Sequence, residues 1–331
     1  KITEWIPTYD GRTKEPVTLP VKFPLLLVQG VEGIAVGLST KIMPHNFVEL
    51  IDASISILRG RGMRVYPDFP TGGIADFSQY NDGQRGGKVK VRARIEQVDA
   101  KLLKITEVPF ATTTSSLIDS VIKANEKGKI KIKKIEDNTA EFVEILIHLP
   151  AGVSPDKTID ALYAFSDCEI SISPNACIIK DDKPYFMSVS DILKQSTAHT
   201  LELLKAELEI LLAEQQALWH FASLERIFIE NKIYRDIEEC ESWEAVIEAI
   251  RVGLEPHIKH LKEPVTEEDI LRLTEIKIKR ISKFDLDKAN QNLKRIEDTI
   301  AELTDKLANL IDYAVDYFKG LKKKYKEGRG R

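Results

Sequence analysis

Apolar residues recur at alternating spacings of three and four along two stretches of the C-terminal half. This repeat places them on one stripe of a helix, and a stripe kept up over several heptads is typical of a coiled-coil seam. The second stretch keeps the repeat for five heptads, so we expect a helix about 50 Å long there. The first series comprises Leu201, Leu204, Leu208, Leu211, Leu218 and Ala222, with Gln215 in one core place. The second comprises Leu286, Ala289, Leu293, Ile296, Ile300, Leu303, Leu307, Leu310, Ala314, Tyr317 and Leu321.

The segment between the two series, residues 219–285, is apolar enough to form a small helical core of its own. The simplest topology sends one long helix out, builds a globular knob at its tip and returns along a second helix. We therefore predict an antiparallel coiled coil with an outgoing helix over 189–218 and a returning helix over 286–321. An ordinary bundle with two separate surface helices remains open.

Residues 20–188 have a mixed pattern. The stretch Phe23–Val28 has the apolar character of a buried strand, and Asn46 with Glu49 three residues later is typical of a capped helix start. Alternation at period two predicts three strands, and one helix intervenes. The strands are Lys88–Ile95, Leu103–Val108 and Phe142–Leu149, and the helix is Ser116–Lys127. The pattern predicts an α+β fold, in which a mixed domain precedes the coiled coil and its helical tip.

The composition is that of a folded chain with more than one core: 331 residues, 43% hydrophobic and 30% charged. The longest apolar runs have strand length, which argues against a transmembrane helix, and the first residues have no charged-then-apolar pattern, so we expect no secretory leader. Cys168, Cys177 and Cys240 are too scattered for a disulfide framework or a zinc site. A reducing cytoplasm and no membrane are therefore expected.

Charge is unevenly distributed beneath a net value of −4. Residues 59–134 carry 16 Lys or Arg against 8 Asp or Glu, and residues 322–331 form a basic tail. Charge runs are mostly solvated faces, but a basic block within one domain also favours a nucleic-acid footprint. Composition leaves both interpretations open.

The glycines at positions 30, 33 and 37 fit neither of the common phosphate-loop spacings. One interpretation is a tight turn between apolar strands. The other is that Ile34, set between small residues, protrudes as an apolar wedge of the kind that enters between base steps and kinks a duplex.

The strand beginning at Lys88 carries a row of basic residues. Period two places Lys88, Lys90, Arg92 and Arg94 on one face, and such a row suits a phosphate backbone. An ordinary solvated sheet face would normally mix the signs of its charges, and this strand does not. With Lys41 and Arg85, these residues are the candidate DNA-binding cations.

Residues that could carry out catalysis or bind a metal are not evident. His257 and His260 lie one helical turn apart without a third ligand at metal spacing, so surface or structural roles are expected. No Ser/His/Asp, Cys/His or paired-carboxylate arrangement is visible. We expect no catalytic residue and no metal site on this chain.

Taken together, the motifs resemble those of the A subunit of bacterial type IIA DNA topoisomerases, gyrase or topoisomerase IV. Five stretches carry the resemblance in the family's order. They are Thr8–Gly11, then Gly33–Gly37 followed by Pro44–Asn46, then Pro67–Ile74, then Gly87–Arg94, and Val265–Ser282 near the tip of the coil. The resemblance implies a tower domain over 20–188, preceded by a linker over 1–19, and a C-gate over 219–285. It also implies that Ile34 occupies the position of the family's intercalating isoleucine.

The same resemblance implies that the catalytic residue and several partners lie outside this chain. The family's nucleophile is a tyrosine that follows an arginine in a winged-helix domain. None of the nine tyrosines here has that context, so we expect the nucleophile upstream of this chain. Mg²⁺ and ATP would act through the B subunit of an A₂B₂ complex on double-stranded DNA, in the cytoplasm at the nucleoid. A homodimer would form through the C-gate. The dimerisation candidates are Ile270, Leu273, Ile276 and Ile278.

Two departures from the family pattern are visible: Glu32 puts an acidic side chain beside the wedge, and the C-gate segment is short. The short segment favours topoisomerase IV slightly but does not decide between the paralogues. A competing class is a non-enzymatic, hinge-type chromosome-organising protein, which also carries a coil with a globular tip. Such proteins have no reason to place Gly33–Gly37 ahead of a basic strand.

Overall fold

A computed structural model describes residues 2–180, 182–277 and 283–325. The strands are β1 (Trp5–Pro7), β2 (Lys14–Pro16), β3 (Val31–Ala35), β4 (Leu38–Ile42), β5 (Ile74–Gln79), β6 (Lys88–Arg92), β7 (Arg94–Asp99), β8 (Leu102–Glu107), β9 (Lys134–Asp137), β10 (Ile145–His148), β11 (Glu169–Ile172), β12 (Cys177–Lys180) and β13 (Lys183–Phe186). The helices are α1 (Leu25–Gln29), α2 (Phe47–Leu58), α3 (Thr114–Glu126), α4 (Pro155–Phe165), α5 (Val189–Glu230), α6 (Trp243–Leu254), α7 (Glu267–Thr274), α8 (Lys283–Ala308) and α9 (Leu310–Tyr325). The predicted α+β class is confirmed.

The described residues within 21–200 and 317–325 form one compact unit with two principal antiparallel sheets. A three-stranded sheet has the order β11–β6–β5, and a four-stranded sheet has the order β7–β8–β10–β9. Val89 and Val91 of β6 are fully buried in the first core, and Ile105 and Ile147 are fully buried in the second, where Leu117 of α3 also lies. The predicted strand around 103–108 and the predicted helix around 116–127 are confirmed within a few residues.

Helix α2 begins where the sequence predicted. The Asn46 side chain accepts hydrogen bonds from the backbone N–H groups of Val48, at 2.9 Å, and Glu49, at 3.2 Å. A side-chain oxygen that satisfies these otherwise unpaired donors stabilises the first turn by about 1 kcal/mol.

The prediction of a buried strand over Phe23–Val28 is wrong, because this stretch contains helix α1. The backbone N–H groups of Leu27 and Val28 both donate to the carbonyl of Pro24, at 3.1 Å. Proline is well suited to a first turn, since its missing N–H is not needed there, and consecutive leucines have high helix propensity. Within α1 only Leu27 is buried. A short apolar run of this kind is compatible with either a helix or a strand.

Residues 201–316, with the N-terminal residues up to 20, form a second, mainly helical unit. Helix α5 does not end at residue 218 but continues to Glu230. In the outgoing series Leu204 and Leu208 are buried, whereas Leu211 and Leu218 are exposed. The predicted strict heptad is therefore wrong beyond residue 208. A straight helix has 3.6 residues per turn, so its buried stripe drifts away from a 3.5-residue repeat.

The returning series keeps its pattern: Leu293, Ile296, Leu303 and Ala314 are buried. The remaining described members of this series are half-buried, and the side chain of Leu286 lies outside the described part. The predicted returning helix is interrupted at one residue, since α8 ends at Ala308 and α9 begins at Leu310. Helical hydrogen bonds nevertheless continue through it, because the Asn309 N–H donates to the carbonyl of Asp305 at 2.9 Å and the Tyr313 N–H donates to the carbonyl of Asn309 at 3.0 Å. At the break, the Asn309 side chain bonds the carbonyl of Asp305 at 3.2 Å, and side-chain hydrogen bonds of this kind compete with regular helix. The pairing of the two helices as a coiled coil stays a prediction, as do the domain boundaries.

The segment between the helices has its own core. Ile250 and Leu254 of α6 meet Leu224 and Phe228 from the end of α5. Polar contacts also join the end of α5 to other helices of this unit. The Trp219 indole N–H donates to Glu297 of α8 at 2.9 Å, and the Arg272 guanidinium of α7 lies 3.8 Å from the centre of the Phe221 ring.

Candidate nucleic-acid interface

The glycine-rich segment forms a hairpin of β3 and β4 with a two-residue connection. Ile34 pairs with Ser39 in the register, and Gly37 takes a positive φ of +74° in the turn. The Ile34 side chain is 91% exposed, and Val36 at the turn is fully exposed. The interpretation as a tight turn between strands is confirmed, and Ile34 is exposed beside the turn, whereas its entry between base steps stays a prediction.

The base of the hairpin is held by backbone contacts. Gly30 has φ of +68°, and a Cβ there would lie 2.6 Å from the carbonyl oxygen of Ile42, so a larger residue cannot be accommodated. On the other strand, Lys41 and Asn175 exchange two backbone hydrogen bonds at 2.9 and 3.0 Å. The Asn175 side chain also donates to the carbonyl of Ser39 at 2.7 Å. The hairpin is therefore anchored at its base and exposed at its tip.

Two of the motifs quoted above pack together below the hairpin. His45 forms a backbone bridge with Pro67, the Asp68 N–H donates to the carbonyl of Pro44 at 2.8 Å, and the Asn46 amide donates to the Asp68 carboxylate at 3.0 Å. The two motifs therefore form one packed junction, which no pattern in the sequence indicated.

His45 is buried at this junction. Its Nδ1 lies 3.2 Å from the carbonyl of Leu27, which can only accept, so Nδ1 carries the proton; Nε2 then accepts from the Tyr80 hydroxyl at 3.4 Å. Burial lowers the pKa of His45 to about 4, although the carboxylates of Asp82 and Asp68 oppose the shift. The ring is therefore neutral at pH 7 and acts as a structural link.

An open groove of about 670 Å³ lies beside the hairpin tip. Within the described part of the chain, neither Arg85 nor Lys88 has an acidic side chain within ion-pair distance, and both cations line this groove. The groove thus places two unpaired cations beside the turn that carries Ile34. Its lining residues are Ala35, Gly37, Leu38, Ser39, Arg85, Gly86, Gly87, Lys88, Ser173, Pro174, Asn175 and Phe186.

The basic strand has the predicted period. Along β6 the residues alternate between exposed and buried, and Lys88, Lys90 and Arg92 share the exposed face. Arg94, the first residue of β7, is also exposed.

The expectation that this face carries one sign of charge is wrong. Glu169 of β11 lies 2.6 Å from Arg92 Nε and 3.6 Å from Lys90 Nζ. The Arg94 Nε lies 3.3 Å from the carboxylate of Glu107. The reason is topological: β11, a neighbour of the central strand β6, supplies Glu169, and β8, the neighbour of β7 in the other sheet, supplies Glu107.

Lys41 is paired as well: its Nζ lies 2.9 Å from Glu32, its cross-strand partner. Both side chains are partly solvated, so this pair contributes little to stability. Glu32 thus neutralises Lys41, one of the candidate DNA-binding cations.

Glu107 also contacts the Gly72–Gly73 pair in the motif before β5, where both glycines have positive φ values of +78° and +88°. Its carboxylate accepts a hydrogen bond from the Gly73 N–H, and a Cβ on Gly72 would lie 2.5 Å from the same carboxylate. Glu107 and Glu169 are site residues that the sequence analysis missed. The only signal available for Glu107 was the glycine pair, and Glu169 is 77 residues from Arg92.

The dimerisation candidates lie elsewhere, on and after α7. Ile270 and Leu273 are each 1% exposed and belong to the core of the helical unit, and Ile276 packs against it. Ile278 lies outside the described residues. The first two side chains are therefore unavailable on the surface of one chain, and a role of this group in dimerisation stays a prediction.

The described residues contain no group of three or more His, Cys, Asp or Glu side chains placed to hold a metal ion. Among the same residues, no helix has the length and apolar composition needed to cross a bilayer.

Comparison with known proteins identifies the family. A sequence model of the family described as the A subunit of DNA gyrase/topoisomerase IV matches residues 1–319. The A subunit of DNA topoisomerase 4 from Borreliella burgdorferi is 39% identical over 331 residues, which cover all of this chain and 53% of that protein. The corresponding topoisomerase 4 protein of Staphylococcus aureus is 28% identical over 98% of this chain and 42% of that protein. The A subunit of DNA gyrase from Lawsonia intracellularis is 33% identical over 65% of this chain and 28% of that protein.

These matches and the ordered motifs define a bacterial type IIA topoisomerase component. The chain belongs to the family of DNA gyrase and topoisomerase IV A subunits, and the resemblance stated from its motifs is confirmed. It spans about half the length of the Borreliella relative and less of the others.

Proposed function

We propose that this chain is the part of a type IIA topoisomerase A subunit that binds and bends the DNA segment to be cut and forms the exit gate. In this proposal the tower domain supports the flank of a DNA duplex, and Ile34 enters between base steps to stabilise the bend. The helical segment between α5 and α8 forms the dimer contact through which a second duplex leaves.

The observation that carries the proposal is the exposure of Ile34. A β-branched apolar residue that is 91% exposed on an anchored hairpin gains nothing from its position in the free chain. Its burial between base steps would recover that apolar surface and offset part of the unstacking cost. The Gly30 and Asn175 contacts hold the hairpin base, so the wedge is presented without a large loss of conformational entropy on binding.

Cations near the hairpin support the same assignment. Arg85 and Lys88 line the groove beside the turn, where a phosphate backbone flanking an inserted isoleucine would pass. Such contacts supply most of the affinity without reading sequence. Further cations that phosphates could contact are Lys90, Arg92, Arg94 and Lys41, although each is paired with an acid in the free chain.

The proposal assigns the remaining chemistry to other parts of the enzyme. A tyrosine outside this chain would open the duplex by transesterification, and the B subunit would supply Mg²⁺ and the ATPase in an A₂B₂ complex. The homodimer and a location in the cytoplasm at the nucleoid belong to the same proposal.

A DNA-bending assay on Ile34→Ala tests the proposal. Bending a site of 20–30 base pairs costs on the order of 1–6 kcal/mol, so loss of the wedge should reduce the bend before it reduces affinity. A duplex with a donor and an acceptor fluorophore at its two ends reports the bend as energy transfer, and anisotropy on the same duplex reports the dissociation constant. When the unmodified chain bends the duplex, energy transfer between its ends rises, and we expect Ile34→Ala to lose most of this rise. The affinity of the variant for the duplex should change by less than about threefold, because phosphate contacts dominate binding.

Val98→Ala is the matched control. Val98 is also β-branched, is 55% exposed and lies on β7, away from the hairpin. Its variant should bend DNA as the unmodified chain does. Equal energy transfer with Ile34→Ala and the unmodified chain would remove the wedge from the proposal.

A further inference from the structure

Glu169 lies between two of the candidate DNA-binding cations. It stands opposite Arg92 in the pairing of β11 with β6, and its two carboxylate oxygens reach Arg92 at 2.6 Å and Lys90 at 3.6 Å. The carboxylate is 19% exposed, whereas the two cations are about half exposed. Its charge is therefore less screened by salt than theirs.

The carboxylate is ionised under ordinary conditions. The hydrogen bond from Arg92 lowers the pKa of Glu169, and the charges of Arg92 and Lys90 act in the same direction. Arg92 has a second contact, since its guanidinium lies 4.8 Å from the centre of the Tyr163 ring. The Tyr163 hydroxyl in turn donates to the carbonyl of Ala93 at 2.9 Å. Arg92 is thus held on the sheet by an acid and an aromatic ring at once.

Two more acids face the same row of cations. Asp76 of β5 is the register partner of Lys90, and Glu107 is the partner of Arg94. Three carboxylates therefore oppose four cations, Lys88 being the one without an acidic partner among the described residues. The row runs over two sheets, since β6 and β7 belong to different ones, and the three carboxylates nearly balance the charge of its four cations.

We infer that Glu169 is an internal counter-ion that competes with DNA phosphates for Lys90 and Arg92 and so limits the affinity of this surface for any duplex. This inference rests on the proposed DNA-binding function. Affinity from phosphate contacts is independent of sequence and grows with each neutralised phosphate. A fixed carboxylate beside the cations repels an approaching phosphate and reduces the net charge that the protein can offer. A binding site that must later release its duplex benefits from this limit.

The alternative is that Glu169 is a positioning residue that orients Arg92 toward DNA. The two roles predict opposite effects of removing the charge. A counter-ion lowers affinity, so its neutralisation strengthens binding and steepens the salt dependence. A positioning residue raises affinity, so its neutralisation weakens binding.

Glu169→Gln separates them, because the amide oxygen still accepts the Arg92 hydrogen bond while the negative charge is lost. Duplex affinity is measured by anisotropy between about 50 and 200 mM KCl, the range over which phosphate contacts dominate the change. We expect affinity at 0.1 M salt to rise about eightfold and the slope of log K against log salt to steepen by about 0.9, the value for one additional phosphate contact.

Two controls accompany the variant. Glu169→Asp keeps the charge and should retain the affinity and slope of the unmodified chain. Glu126→Gln removes the same charge from an exposed position at the end of α3 and should also change neither quantity. Should Glu169→Gln fail to fold, Glu107→Gln provides the same test at Arg94, where we again expect tighter and more salt-dependent binding.

Unchanged or weaker binding by Glu169→Gln, with the unmodified chain binding duplex in a salt-dependent way, would overturn the counter-ion role and leave the proposed function intact. If the unmodified chain showed no salt-dependent affinity for duplex DNA, the proposed function itself would fail, and the inference with it.

Discussion

Strand β6 and the hairpin β3–β4 both expose side chains with a candidate role in DNA binding, but they are held in different ways. Strand β6 is the central strand of a sheet and buries Val89 and Val91 completely on one face. The hairpin has two strands, and between Val31 and Ile42 only Ile42 is buried. It depends on backbone contacts at its base.

This difference decides what each region can offer a partner. Charges on a central strand meet the side chains of both neighbouring strands, so Lys90 and Arg92 are neutralised by Glu169. The Ile34 side chain at the hairpin turn stays 91% exposed, although the Asn175 side chain contacts Ser39 on the opposite strand. Strand β6, whose basic row is the stronger signal in the sequence, is thus less available to a DNA partner. The β3–β4 hairpin gives the weaker signal but presents an exposed side chain, Ile34.

The largest effect that separates the two regions should be on stability. Ile172 of β11 lies opposite Val89 and is 5% exposed, whereas Ile34 is 91% exposed. Ile172→Ala should lower the free energy of unfolding by about 2–5 kcal/mol, because it removes buried methyl groups and leaves a cavity. Ile34→Ala should change it by no more than about 0.5 kcal/mol. Urea unfolding followed by circular dichroism measures both, and a similar loss in the two variants would show that the hairpin is part of the core.

A smaller effect should appear at the base of the hairpin when the pH is lowered. The pKa of His45 is about 4 in the folded chain against 6.5 for an ordinary histidine. Below pH 6.5 the unfolded chain binds a proton that the folded chain does not, so stability falls as the pH decreases from 6.5 to about 4. The loss attributable to this ring is about 3 kcal/mol over the whole window.

His45→Gln isolates this contribution from those of the other titratable groups. The variant should be less stable at pH 7, since the links to Leu27 and Tyr80 are altered, but its stability should depend less on pH. The measurement is the free energy of urea unfolding at several pH values in both proteins. Parallel pH profiles would show that the burial of His45 does not shift its titration.

The sequence predicted those elements whose pattern is enforced by local burial. The alternation along β6 and the Asn46 cap of α2 were predicted because the residues that decide them lie within a few positions of each other. The helical segment Leu25–Gln29 was mistaken for a strand because a short apolar run fits both structures and the Pro24 contacts decide between them. The buried positions of α5 depart from the predicted heptad after Leu208, because a straight helix has 3.6 residues per turn and the predicted repeat has 3.5.

The candidate site could be predicted only in part. The exposure of Ile34 was predicted from the glycine-rich segment and the family resemblance, and the exposure of the basic row was predicted from periodicity. The role of these residues in DNA binding stays a prediction. The partners that change the meaning of the basic row, Glu169 and Glu107, come from strands whose pairing a single sequence does not reveal. Charge counting along the chain therefore overestimated the positive surface.

The smallest effect, on DNA affinity, tests whether paired and unpaired cations differ. Arg85→Gln with Lys88→Gln removes two cations that have no acidic partner among the described residues, so two phosphate contacts should be lost. At 0.1 M salt that loss is about sixtyfold in affinity, or about 2.4 kcal/mol, and the slope of log K against log salt should fall by about 1.8. The matched triple variant, Lys90→Gln, Arg92→Gln and Glu169→Gln, removes one net positive charge. Its affinity for the duplex should fall by only about eightfold, with a slope change of about 0.9.

Salt titrations of both variants on one duplex give the comparison directly. Equal slope changes would mean that Glu169 does not neutralise its neighbours when DNA is bound. A larger loss in the triple variant would mean that the paired cluster, not the groove beside the hairpin, carries the phosphate contacts.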